Sequence, residues 1–243
     1  MSVTLRLMGA AVLALLVGST ARAAGPLEFP VTTGHLRHGS SGTLVFDDKG
    51  VEYKTAKKGA SRRWTYEQIK QVQVRTPKRV VIRTYEDKGF FKWWTDRDVQ
   101  FDVLKGEITP ELSAFLLTAT PRPVLMAVLP PATGRLRYQV PVKHLHARTG
   151  ETGDLLLYDN ALVYRTARPG ESRYWRFEDL ASAFATDRFR LSVLTYEGGG
   201  GDTKSFEFQL RSDLPSGFFD ALWSSMNVPA PLHGGTRGAP EGR

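Results

Sequence analysis

The chain has 243 residues, 41% hydrophobic and 11% aromatic, which suffices for one large core or two of about 90 residues each. A formal charge of +8 favours solubility and anionic partners without naming one. The lack of cysteine excludes disulfides, thiol catalysis and thiolate metal sites together.

Residues 1–6 are short and basic, 7–17 are apolar, and Ala21-Arg22-Ala23 has the small-x-small form of a signal peptidase site. Residues 1–24 therefore read as a secretory signal peptide, which implies a periplasmic or secreted protein. The apolar run falls short of the roughly 20 residues needed to cross a bilayer, and no cysteine follows it to carry a lipid anchor.

Extended segments come next. Residues 31–37 read as a strand, 42–46 and 51–55 alternate around an Asp47-Asp48-Lys49-Gly50 turn as a hairpin, and 62–66, 71–76, 79–86 and 99–104 continue as strands. Thr109-Pro110-Glu111 then opens a helix, with a capping hydroxyl and a first-turn proline, and Leu112, Phe115, Leu116 and Ala119 share one face.

Residues 120–139 hold two proline-rich pieces around the apolar stretch 124–129, which is expected to lie against one or both flanking domains and make a semi-rigid pair. Beyond it the pattern repeats. A shift of 111 positions lays 30–86 on 141–197 without a gap, with about 20 of 57 pairs identical, which establishes an internal duplication. Gly42, Leu44, Tyr53, Gly59, Arg62, Trp64 and Glu67 return as Gly153, Leu155, Tyr164, Gly170, Arg173, Trp175 and Glu178, and Thr84-Tyr85-Glu86 returns as Thr195-Tyr196-Glu197. A second helix follows Pro215, with Phe218, Phe219, Leu222 and Met226 on one face. The expected domains are repeat 1 at 28–119, repeat 2 at 140–226, and a Pro/Gly-rich, disordered tail at 227–243.

Seven strands closed by one helix, a Gly-x-Leu at the hairpin, and the pieces SRRWTYEQI and SRYWRFEDL between the fourth and fifth strands resemble the pleckstrin-homology-like superfamily, especially its bacterial PH-like and GRAM modules. The resemblance covers about 180 residues and implies a mainly β protein with two tandem domains, each a partly open barrel plugged by its C-terminal helix. It also implies binding of lipid headgroups, peptides or proteins rather than catalysis. Family members that hold phosphorylated headgroups use the first hairpin, which points to Arg37 and Arg148 as possible anion contacts.

The repeated Arg62, Trp64 and Glu67, with Arg173, Trp175 and Glu178, suit a structural corner. Arg62 and Trp64 share a strand face, Glu67 is within reach of the guanidinium, and the indole is placed to cover it. The copies differ most after the sixth strand, where the first inserts Lys88, Phe90, Phe91, Lys92, Trp93, Trp94 and Arg97. Such rings need a cover: the other repeat, a protein partner or a membrane interface. His35 and His38 with His144 and His146 raise a metal site, but no acidic ligand accompanies them, so none is expected.

No nucleophile elbow or phosphate-cradling loop is present. The expected function is an exported, non-catalytic binding or scaffold protein that engages a protein partner through the aromatic loop, without cofactor or nucleic acid. The competing readings are a peripheral protein on anionic membranes using the same loop, and an enzyme whose residues converge only on folding.

Overall fold

Seven extended segments followed by one helix build each half of the chain, most of them alternating apolar and polar residues so that one face of the sheet is buried. The computed structural model describes residues 25–33, 39–87, 96–131, 133–146, 149–199 and 202–227. The first half comprises β1 (Leu27–Thr33), β2 (Ser41–Asp47), β3 (Gly50–Lys54), β4 (Arg62–Thr65), β5 (Ile69–Thr76), β6 (Arg79–Asp87), β7 (Asp96–Val103) and α1 (Pro110–Ala119). A two-residue strand, β8 (Leu125–Met126), follows in the linker. The second half comprises β9 (Leu136–Leu145), β10 (Gly150–Tyr158), β11 (Ala161–Arg165), β12 (Arg173–Arg176), β13 (Leu180–Asp187), β14 (Arg190–Gly199), β15 (Asp202–Leu210) and α2 (Phe218–Met226).

The two sheets run β4-β3-β2-β1-β7-β6-β5-β8 and β12-β11-β10-β9-β15-β14-β13. In each the last strand returns to the first, and the fourth and fifth strands stay unpaired with one another, leaving a barrel open along one seam. The protein is thus mainly β, in two seven-strand units each followed by a helix.

The duplication is visible in the hydrogen-bonded register. Leu44 faces Tyr53 as Leu155 faces Tyr164, and the irregularities at Ile69/Gln71 and Val74/Thr76 recur at Leu180/Ser182 and Ala185/Asp187. Gly42 and Gly153 are identical for a steric reason: a Cβ there would strike the carbonyl of Lys54 or Arg165 and the ring of Tyr53 or Tyr164. The first strand starts at Leu27, ahead of the expected residue 31, because Phe29 and Val31 fill the core and so set its register against β2; residues 34–37 of the expected strand lie outside the described residues. Thr109 leads α1 as expected, but its hydroxyl does not cap the helix backbone; it bonds to the Glu111 carboxylate instead.

The apolar linker is built into the first sheet. β8 pairs in parallel with β5, Ala127 N donates to Val74 O at 2.9 Å, Ser113 Oγ donates to Val128 O at 2.6 Å, and Val124 and Met126 are buried. The first core then extends past the linker onto the outer face of the second sheet, taking in Leu156, Ala161, Val163 and Tyr174. Leu155, Leu157, Leu162, Tyr164 and Trp175, on the other face of the same strands, belong to the second core. Those strands are apolar on both faces, which is why the halves join. In the first half the counterparts of Val163 and Tyr174 are Glu52 and Arg63, which pair with each other at 2.9 Å at the surface.

Arg176 fastens the joint. Its guanidinium donates to the Thr120, Pro121 and Arg122 carbonyls at 3.3, 3.3 and 3.0 Å while bonding both Asp179 carboxylate oxygens at 2.9 Å. Burial works against its charge, yet Asp179 and Glu178 outweigh that and raise its pKa.

Candidate functional site

Lys88, Phe90, Phe91, Lys92, Trp93 and Trp94 lie outside the described residues, as do Arg37, Arg148, His35 and His38. Arg97 is described only by its place in β7, opposite Thr84. The tail beyond residue 227 also lies outside them.

The repeated corner residues are partnered differently from the sequence reading. Trp64 and Trp175 are buried, at 3% and 1% exposure. Glu67, however, is exposed in the turn after β4, and Arg62 reaches across the sheet to Glu86, 3.3 Å away. In the second half Arg173 pairs with Glu197 at 3.3 Å, and Glu178 pairs instead with Arg176 at 2.9 Å. The expected indole cover is replaced by Phe206, whose ring centroid lies 5.7 Å below the Arg173 guanidinium. In both halves the arginine meets a carboxylate on the sixth strand rather than the one that follows it in the chain.

The side chains around these arginines differ between the halves, and so do the hollows beside them, about 530 Å³ in the first and about 480 Å³ next to Arg173, Glu197 and Lys204. In the second half, His144 stacks on Phe206 with centroids 5.2 Å apart, and Trp175 meets the same ring at 4.9 Å. The Lys204 ammonium lies 4.6 Å from the Phe206 centroid, and Trp175 Nε1 donates to Glu197 at 2.7 Å. Burial of Glu197 pushes its carboxyl above the usual range, with Arg173, Lys204 and the Trp175 bond opposing.

In the first half, Val99 stands where Phe206 stands, as the ladder pairs Ile82 with Val99 and Val193 with Phe206 show. Thr33 and Ala60 replace His144 and Glu171. The smaller side chains leave a cleft of about 530 Å³ lined by Tyr53, Lys57, Arg62, Trp64, Arg75 and Asp98 among others. Asp98 is engaged by Arg83 at 2.8 Å and Arg62 by Glu86 at 3.3 Å, so the cleft carries Lys57 and Arg75 beside these paired charges and the Tyr53 edge. Its open wall, with Lys57, Arg62 and Arg75 among its lining residues, suits an anionic group.

A polar seam joins the halves beside this cleft. Gln71 Nε2 donates to the Glu197 carbonyl at 3.2 Å, Gln73 Nε2 to Gln71 Oε1 at 2.6 Å, and Arg75 Nε to Gln73 Oε1 at 2.8 Å, while Arg83 Nη1 donates to the Gly198 carbonyl at 3.0 Å. Gln71 and Gln73 are buried polar residues on one strand face, and that alternation was the available sign of a polar contact surface.

The histidines behave differently from the sequence expectation. His144 is buried at 6% exposure, and its ring contacts His146 at 4.2 Å between centroids. Burial, with the nearby charges of His146, Arg173 and Lys204, pushes its pKa down to about 4, so the imidazole is neutral near pH 7. The acidic neighbour that the linear sequence did not reveal is Glu171, in the turn between β11 and β12, 3.5 Å from His146.

No family model and no curated protein matches the chain. Among solved structures, it is similar to the C-terminal domain of an unknown protein from Leishmania infantum, at 13% identity and a TM-score of 0.31, over 38% of this chain and 84% of that one. It is similar to the linker-DH/PH domains of p115-RhoGEF at 16% identity and a TM-score of 0.26, over 33% of this chain and 25% of that one. It is also similar to the Spt16D Pob3N heterodimer at 13% identity and a TM-score of 0.28, over 72% of this chain and 85% of that one.

Proposed function

We propose that the protein is an exported, non-catalytic binding protein of two pleckstrin-homology-like modules, in which the first offers the contact surface and the second stiffens it. The observation that carries this reading is the divergence of the duplicated seam. Phe206, His144 and the Arg173–Glu197 pair occupy it in the second half, whereas the first keeps a cleft of about 530 Å³ faced by Lys57, Arg62 and Arg75. In sequence the aromatic insertion follows β6, which ends at Asp87, one residue after the Glu86 that pairs with Arg62. The cations of the cleft and the aromatic residue types of the insertion, read from the sequence, suit a protein partner bearing acidic side chains.

The test places a photoreactive residue at Lys57 in the protein produced in its own host. A single discrete protein adduct, lost in a folded Arg62→Glu, Arg75→Glu variant and in a variant with Phe90, Phe91, Trp93 and Trp94 changed to serine, supports the reading. Its absence, combined with salt-sensitive sedimentation on anionic vesicles, assigns the surface to a membrane instead.

A further inference from the structure

Two imidazoles and a carboxylate meet beside the second seam. His144, on β9, and His146, just after it, lie two residues apart and face the same side, so each aims a ring nitrogen into one small space. His144 Nδ1 and His146 Nε2 are both shut off from solvent, and among the described residues neither has a hydrogen-bond partner. Buried polar atoms in folded proteins are nearly always satisfied, and a neighbouring pair left bare points to something that occupies the space between them. Glu171 Oε2 stands 3.5 Å from His146 Nε2, and one donor atom from each of the three residues lies within 4.8 Å of the others.

We propose that His144, His146 and Glu171 form a site for a divalent transition metal, zinc or an ion of similar softness. Two imidazoles with one carboxylate favour zinc, nickel or copper over magnesium or calcium, which prefer all-oxygen shells. A tetrahedral ion with bonds of about 2.0–2.1 Å sets its donors about 3.3 Å apart. Rotation of the Glu171 side chain, which sits on a turn rather than in a strand, closes the remaining distance. Three protein ligands leave the fourth position to water or to an incoming group. The nearby cations Arg173 and Lys204 oppose a metal, but Glu197 lies 3.3 and 3.9 Å from them and supplies their counter-charge.

The duplication gives an internal comparison. The matching positions in the first half are Thr33, His35 and Ala60, so the complete donor set belongs to the second half alone, while the Tyr, Trp, Arg and Glu scaffold around it is shared. The set is therefore an addition to a common frame rather than part of what holds that frame together.

The experiment uses the full chain without a histidine tag, equilibrated with Zn²⁺ and separately with Co²⁺, and measures metal per chain, affinity and the visible spectrum of the cobalt form. One ion per chain and the intense visible bands of four-coordinate cobalt are expected. Glu171→Gln weakens Zn²⁺ by at least about tenfold and His146→Gln abolishes the specific site. Both variants lie near the surface, and unchanged far-UV circular dichroism and melting without metal establish that they fold. No uptake by the wild type at about 100 μM Zn²⁺, a concentration generous for a three-ligand protein site, overturns the proposal. So does undiminished affinity in either variant, which would place the ion on histidines elsewhere in the chain.

Discussion

Replacing Arg176 with methionine is expected to destabilise the chain by about 3 kcal/mol, the lower end of the cost of breaking a buried ion pair by removing one partner. Arg176 and Asp179 are 14% and 8% exposed at their side chains, so the methionine leaves a buried carboxylate whose two 2.9 Å guanidinium bonds are gone and which keeps only the Arg176 backbone N–H at 3.3 Å. The Thr120, Pro121 and Arg122 carbonyls lose a donor at the same time, and Thr120 is itself buried. At about 2–4 °C per kcal/mol for a chain of this size, melting should fall by about 6–12 °C. Circular dichroism melts of wild type, Arg176→Met and Arg176→Lys measure it, with limited proteolysis of residues 120–123 alongside. Lysine keeps the charge but not the planar fan of donors, so it should recover less than half of the loss. A shift under about 2 °C, with the linker equally protease-resistant, would refute the idea that this guanidinium fastens the two halves.

Val163→Asp puts an unpaired charge into the joint and should cost about 3–4 kcal/mol in urea denaturation, whereas Glu52→Val at the matching surface position should stay within about 1 kcal/mol. Gly42→Ala and Gly153→Ala should each cost about 1–3 kcal/mol by overpacking, read from melting temperature, because the added methyl meets the neighbouring strand's carbonyl and a tyrosine ring. Burial raises the Glu197 pKa in the folded chain above the ordinary 4.5 of a glutamate, so its protonated form is favoured by folding. Relative to Glu197→Gln, wild-type stability should be greatest below that value and should decline as pH rises through the raised pKa; urea midpoints of both proteins at low and neutral pH check the sign.

The duplication, the strand order and both helices were legible because the identical residues sit where geometry allows no alternative, at Gly42 and Gly153 or at the buried Trp64 and Trp175. The joint was legible in principle. Leu155-Leu156-Leu157 and Leu162-Val163-Tyr164 are apolar at every position, which a strand with one wet face does not tolerate, and their counterparts in the first half include the charged Glu52. The carboxylate partners were not legible. Glu67 is the near acid along the chain from Arg62, but the bond goes to Glu86 across a barrel seam that exists only once the first strand meets the last. Glu171 escaped for the same reason: a turn after one hairpin is carried back over a strand that begins the domain, and neither spacing nor periodicity records that return.

The linker strand also makes the two ends of the molecule unequal. Leu125–Met126 covers the outer edge of β5, while the matching edge of β13 has, among the described residues, a neighbour on one side only. Among the described residues, one sheet therefore ends on the linker strand and the other on β13, whose outer edge faces no strand. A short apolar segment grafted downstream of α2, copying Val124 to Ala127, would find on β13 the ladder that the native linker finds on β5, so a third module could be added without redesigning either of the first two.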